Sequence, residues 1–221
     1  LSTVPSLGSH PASGCPLCPR LARFRDANRA AFPDWHNDPV APFGPAAPAA
    51  EIRLLVVGLA PGLRGANRTG RPFTGDYAGD LLYATLAKYG LAAGTYAARA
   101  DDGLRLIGCE ITNAVRCVPP ENKPTPAEIA TCRPFLAAQI AGLPALRAVL
   151  ALGTIAHGSV LAALGLKKSA WPFTHGALHR LPDGPVLADS YHCSRYNTNT
   201  GRLTEAMFHT VFDSIRPIVA D

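Results

Sequence analysis

The chain has 221 residues, 48% apolar and 17% charged, with a formal net charge of +5 at pH 7 and six cysteines. That length suits one well-buried core and is short for two, so a single domain over residues 1–221 is expected, divided into an N-terminal arm (1–50) and an α/β core (51–221). No apolar run approaches the roughly 20 residues that span a bilayer, and the first residues show no basic stretch followed by an apolar one, so a membrane partner is excluded and a cytoplasmic monomer is expected. Seventeen of the 21 basic residues are arginine, which suits bidentate phosphate recognition, although a GC-rich coding sequence produces the same bias. In a reducing compartment six cysteines point to metal or cluster ligation rather than to three disulfides.

In chain order, residues 1–14 and 37–50 are rich in Pro, Gly, Ser and Ala and read as irregular arms. Between them Cys15-Pro-Leu-Cys18 forms a C-x2-C pair. Four apolar, partly β-branched runs follow, at 53–58, 104–113, 147–153 and 185–191, and read as buried strands. Helical stretches lie at 80–89, 125–141, 154–164 and 203–215. Strand alternating with helix implies a parallel sheet covered on both faces. Ligands then bind beyond the carboxyl ends of the strands.

The chemistry-bearing residues fall at those ends. The loop from Gly58 to Asp76 carries Arg64, Arg68 and Arg71 with no acid before Asp76, a positive arm suited to phosphates. Its spacing is neither GxGxxG nor GxxxxGK[ST]. The backbone around Ala60, Pro61 and Gly62 offers N–H groups to a carbonyl or phosphate. Taken alone, Phe73 reads as core and Asp76 as a helix cap, with Asp80 the better cap of the two acids. Asn113 ends the second strand, where an amide is ordinarily a turn residue but also offers a donor and an acceptor together. Cys117 and Cys132 join Cys15 and Cys18 as a four-thiol set that fits zinc or an iron-sulfur cluster. Cys109, inside an apolar strand, reads as a buried hydrophobe. After the last strand come His192, Ser194, Arg195, Tyr196 and Asn197, a surface loop on composition alone. His157, His175, His179 and His209 have no comparable context.

Gly58-Leu59-Ala60-Pro61-Gly62, then Gly65-Ala66-Asn67-Arg68-Thr69-Gly70-Arg71 and Phe73-Thr74-Gly75-Asp76, closely resemble the first motif of family 5 uracil-DNA glycosylases. The stretch His192-Cys193-Ser194, followed by Asn199-Thr200-Gly201-Arg202-Leu203-Thr204, resembles the family's other signature, with Cys193 where proline is usual. That exchange puts loop rigidity in doubt and places an extra thiol near DNA. The resemblance covers residues 15 to about 208. It implies a three-layer α/β/α sandwich around a four-stranded parallel sheet, and excision of uracil from DNA in base excision repair.

It further implies a flipped base stacked on Phe73, held by Gly58 and residues 60–62, and read along its edge by Asn113. His192 would stabilise the departing base, and Asp76 would assist water. Arg64, Arg68, Arg71, Ser194, Arg195, Tyr196 and Asn197 would meet the DNA. Apart from the resemblance, the Thr174-His175-Gly176 turn makes His175 a candidate to line the DNA groove. A structural [4Fe-4S] cluster would rest on Cys15, Cys18, Cys117 and Cys132, with zinc as the alternative. Leu59, apolar where family 4 relatives carry an acid or amide, favours family 5 and a range reaching hypoxanthine and modified uracils. Two other readings remain: a noncatalytic iron-sulfur nucleic-acid-binding module, and a small-molecule nucleoside hydrolase.

Overall fold

The computed structural model describes residues 8–45 and 49–220. Those parts of the expected irregular arms that fall at 1–7 and 46–48 lie outside the described residues. Four strands form where the apolar runs predict them: β1 (Leu54–Gly58), β4 (Cys109–Asn113), β5 (Ala148–Leu152) and β7 (Val186–Ser190). All five residues of β1 and of β5 are buried, as continuous apolar strands covered on both faces should be. They pair in parallel in the order β4-β1-β5-β7, with Gly58 opposite Asn113 and Leu152 opposite Ser190.

Successive side chains of β1 feed opposite layers, because strand residues alternate in direction. Leu54 and Val56 pack with α3 (Tyr77–Lys88) and α7 (Glu205–Val219). Leu55 and Val57 pack with α4 (Pro126–Ala141) and α5 (Thr154–Ala163). The result is the expected α/β/α sandwich. The start of α4 follows from its sequence: Thr125 and Glu128 close a reciprocal capping box, with Pro126 in the first turn.

Three elements differ from the expectation. The sheet gains a fifth strand, β6 (Leu178–Arg180), antiparallel to β7 at the edge; three half-exposed residues carry too little apolar pattern to announce it. The run 104–113 is broken at Gly108, whose φ of 61° needs the freedom of glycine. Before the break, β3 (Arg105–Leu106) pairs with β2 (Ala92–Ala93) in a separate ribbon. The N-terminal arm contains α1 (Pro19–Ala31), a helix with four arginines among its thirteen residues, where buried positions such as Arg25 and Asn28 are polar, so that it shows no apolar stripe. It is docked by Leu21, 1% exposed, and by a two-pronged Arg20–Glu128 pair at 2.8 and 2.7 Å. Two short helices, α2 (Ala66–Thr69) and α6 (Arg195–Asn199), punctuate the loops that follow β1 and β7. No described helix is long and apolar enough to cross a membrane.

Candidate active site at the strand ends

From β1 the sheet grows outward in both directions, to β4 on one side and β5 on the other. Such a switch in strand order opens a crevice at the carboxyl ends. There a cavity of about 570 Å³ is lined by the loop after β1, the end of β4 and the tail of β7. Phe73, Asp76, Asn113 and His192 all face it.

Asn113 is 4% exposed and has no side-chain hydrogen bond among the described residues, so its amide is free for a ligand. Its neighbour in register, Gly58, makes this possible. A Cβ at Gly58 would lie 2.5 Å from Asn113 Oδ1 and 2.5 Å from Phe73 Cζ. Phe73 is held at a φ of 52°, an uncommon backbone state for a bulky residue and one that accumulates where a ligand is gripped. Behind it, Gly79 leaves room for the Phe73 carbonyl.

Asp76 precedes α3 in extended conformation, at the cap position, yet its side chain closes no cap hydrogen bond. Gly62 and Gly65 make space for its Oδ2, and its Oδ1 is buried without a partner. Burial pushes the carboxyl above the usual range, and the nearby amides of Gly79 and Ala78 restrain the shift. An acid so placed is poised to take a proton. Asp80 is exposed in the first turn of α3.

The His192 ring stacks on Phe73 with centroids 5.7 Å apart and planes 26° apart. Burial lowers its pKa to about 4, so at neutral pH it is an uncharged imidazole. Neither ring nitrogen has a hydrogen-bond partner among the described residues. Asn197 donates its amide to the His192 carbonyl at 2.8 Å. Cys193 is fully buried, and its thiol points at the Ala78 carbonyl 3.4 Å away. This corrects the expectation of a thiol near DNA.

The residues expected to meet DNA divide. Arg64 and Arg195 line the cavity and are exposed, Arg195 lying 5.4 Å over the Tyr77 ring. Tyr196 is 72% exposed beside them. Arg68 is exposed and touches only the Gly75 carbonyl at 3.5 Å. Ser194 caps α6 and lines the cavity, while Asn197 is committed to the His192 backbone. Arg71 is turned inward: 4% exposed, it grips Asp102 at 2.8 and 2.7 Å and lies beneath the Phe43 and Tyr83 rings. An arginine so enclosed does not reach a phosphate. Ala60, Pro61 and Gly62 line the cavity as expected.

Tyr77, Ala78 and Asn122 line the cavity without having been foreseen. Tyr77 opens α3 at the rim. Asn122 reaches the cavity from the turn after Cys117, where Glu121 and Asn122 both have positive φ. Only the tolerance of Asn for that conformation hints at it in the sequence.

Cys15, Cys18, Cys117 and Cys132 line a second, small apolar pocket between α1, α4 and the tail of β4. Burial, aided by the neighbouring thiols, raises Cys18 to about 11 and Cys117 to about 12. Arg25 Nη1 donates to Cys117 Sγ and the Arg116 amide to Cys132 Sγ, both at 3.4 Å. The guanidiniums of Arg25 and Arg116 are 2% and 0% exposed; Arg25 Nε lies 3.8 Å from the Asp38 carboxylate, and Arg116 Nε and Nη1 have no hydrogen-bond partner among the described residues. Buried cations with idle donors call for compensating negative charge. Thiolates around a metal centre supply it, so the donor set fits such a group.

The chain matches the uracil DNA glycosylase superfamily model over residues 45–216. It is 48% identical to a type-5 uracil-DNA glycosylase of Thermus thermophilus, across 89% of this chain and 90% of that protein. Identity is 43% to the type-5 enzyme of Mycobacterium leprae, across 95% and 93%, and 38% to that of Pyrobaculum aerophilum, across 94% and 88%. Similarity to type-4 uracil-DNA glycosylases covers 52% of the chain at 34% identity with that of Pyrobaculum aerophilum. The strand-end cavity with its half-buried acid, free amide and neutral imidazole is therefore set in a chain that belongs to the uracil-DNA glycosylase superfamily, in its type-5 branch.

Proposed function

We propose that the protein hydrolyses the N-glycosidic bond of deoxyuridine in DNA, leaving an abasic site. The observation that carries this reading is the uncharged His192 ring, both nitrogens without a partner among the described residues, stacked on Phe73 in the cavity that also receives the half-buried Asp76 carboxyl. The flipped base lies against Phe73, and Asn113 offers its amide to the N3–H and O4 edge. As the bond from C1′ to N1 breaks, its electron pair passes to the base, and His192 donates an N–H to O2 where charge collects. Asp76 accepts a proton from the water that attacks C1′ and balances the positive sugar, as carboxylates do in glycoside hydrolysis. An imidazole that titrates near 4 donates without carrying charge, as in other sites where a neutral histidine polarises an oxygen.

The DNA backbone is gripped by Arg64, Arg68 and Arg195, with Tyr196 at the surface beside the opening. A cavity of about 570 Å³ also admits the two-ring hypoxanthine and modified uracils. The four cysteines hold a [4Fe-4S] cluster, supported by the two buried guanidiniums and the N–H···S contacts. Its part is structural: it fastens α1 to the segment after β4.

The deciding experiment incubates the protein with a uracil-containing oligonucleotide and then cleaves at abasic sites. Cleavage that Asp76→Ala, Asn113→Ala and His192→Ala each suppress supports the reading. No cleavage by the wild-type protein points to the noncatalytic module, and base release from free deoxyuridine in preference to DNA points to a nucleoside hydrolase. A colourless preparation with stoichiometric zinc would replace the cluster with zinc.

A further inference from the structure

His192 must aim an N–H at a base, yet its ring makes no hydrogen bond among the described residues. Its direction is therefore set by its backbone and by packing. On the side after it, Asn197 holds the carbonyl. On the side before it, alternate amides of β7 face the β6 edge: the Asp189 N–H donates to Ala177 just ahead of β6. The next amide on that edge, Tyr191 N–H, lies beyond the end of β6 and has no strand to receive it. His175 takes that place: its Nδ1 accepts the Tyr191 N–H at 3.1 Å, and its ring lies on the Tyr191 ring with centroids 4.7 Å apart and planes 7° apart.

His175 is itself presented by a braced segment. The Asp189 carboxylate, 0% exposed, receives His157 Nδ1 at 2.7 Å, His179 Nε2 at 2.9 Å and the Thr174 amide at 3.2 Å. Gly176 N–H donates to the Asp189 carbonyl at 2.8 Å, and the Asp189 amide donates to Ala177 at 3.0 Å. These three side chains also lie close enough to suggest a metal site. However, a metal at about 2.0–2.2 Å from each ligand holds nitrogen and oxygen donors more than about 3 Å apart. Separations of 2.7 and 2.9 Å are those of hydrogen bonds. His157 Nε2 also faces the Trp171 carbonyl at 2.7 Å, so both of its nitrogens meet oxygen partners. The cluster is a proton-linked brace that joins α5, β6 and β7 beneath the residue that turns into the site.

We propose that His175 is a positioning residue for His192, acting through the Tyr191 amide: as an unprotonated acceptor at Nδ1 it ends the β7 ladder and fixes the direction in which the next residue enters the cavity. The proposal rests on the reading of His192 as the group that meets the departing base. Burial lowers the pKa of His175, which keeps the accepting nitrogen free at neutral pH.

Two variants separate the acceptor from the packing. His175→Phe keeps a ring on Tyr191 and removes the acceptor; His175→Asn places Oδ1 where Nδ1 was and removes the larger ring. Each full-length variant is measured for single-turnover excision of uracil, for DNA affinity, for thermal melting, and by ¹⁵N-histidine NMR with the His192 ring signals assigned through His192→Ala. The expected result for His175→Phe is a rate loss of about 10- to 100-fold, the size that a misplacement of about 1 Å brings, with DNA affinity unchanged and the His192 signals displaced. His175→Asn should return the rate and the signals toward wild type. A His175→Phe protein with wild-type rate and signals overturns the proposal, as does a His175→Asn protein no better than His175→Phe. If the wild-type protein cleaves no uracil-DNA, the functional reading fails on its own, and the His192 signals still decide whether His175 positions it.

Discussion

Gly58→Ala tests the geometry of the pocket with a single methyl group. Gly58 ends β1 with no positive φ, so alanine is free of backbone strain there and its effect is steric. The new Cβ would lie 2.5 Å from both Asn113 Oδ1 and Phe73 Cζ, against an ordinary contact of 3.4–4 Å. Each side chain must then retreat by about 1 Å, and both grip the base in the proposed mechanism. A displacement of about 1 Å costs on the order of 100-fold in rate, which is about 2.7 kcal/mol of barrier. Crowding of this kind also costs about 1–3 kcal/mol of stability, and for a chain of this size each kcal/mol lowers Tm by about 2–4 °C. The assay is single-turnover excision with enzyme in excess, paired with a melting curve. A Gly58→Ala protein that cleaves at the wild-type rate would refute the argument, because Asn113 and Phe73 could not then be held where the structure has them.

Other substitutions probe separate parts of the molecule. Asp76 has a raised pKa in the fold, so its contribution to stability is greatest below the unfolded value and is lost as pH rises through the folded one; Asp76→Asn should abolish excision yet melt higher than wild type, with the gap widening from pH 4 to pH 8 in a thermal scan. Wild-type excision should rise with pH across the same titration, and a flat acid side in the pH–rate profile would remove Asp76 from the role of base. Arg71→Ala breaks a buried pair with Asp102 and should cost about 3–5 kcal/mol in denaturant unfolding, while leaving the salt dependence of DNA binding as it is. Arg64→Ala and Arg195→Ala should do the reverse, each reducing the slope of log affinity against log salt by about 1 with little change in stability. If the proposed cluster rests on the four cysteines, Cys117→Ser should bleach its broad visible absorbance and lower Tm; a variant that keeps its colour would move the ligand elsewhere.

The sequence shows the layers of this fold clearly because its central strands are apolar on both faces, and only a parallel sheet between helices buries both. It shows the site as well, since glycines sit where space is needed: Gly58 at the end of β1 for Asn113 and Phe73, Gly62 and Gly65 in the loop for Asp76, and Gly79 in α3 for the Phe73 carbonyl. What it hides is what depends on distant partners. Arg71 looks like its neighbours Arg64 and Arg68 until Asp102 and three aromatic rings close over it. Helix α1 has no apolar period because it is docked by one leucine and by ion pairs rather than by a stripe. Cys193, read as a thiol near DNA, faces inward to a carbonyl of α3. His175, read as a groove residue, has a role the sequence does not show, because its importance lies in one amide sixteen positions away.

The cysteine pocket bears on how the chain can come apart. Cys18 and Cys117 bracket β1, the whole loop that carries Phe73 and Asp76, and all of β4. The proposed metal centre on the four thiols would turn that stretch into a closed ring of about 100 residues, a length for which a cross-link removes about 4–5 kcal/mol of chain entropy from the unfolded ensemble. The base-holding loop would then be inside the ring, whereas the tail that carries His192 would lie outside it. Unfolding that begins at the carboxyl terminus can withdraw the imidazole while the carboxyl and the stacking ring remain in place, so the two halves of the catalytic apparatus are expected to be lost in sequence rather than together.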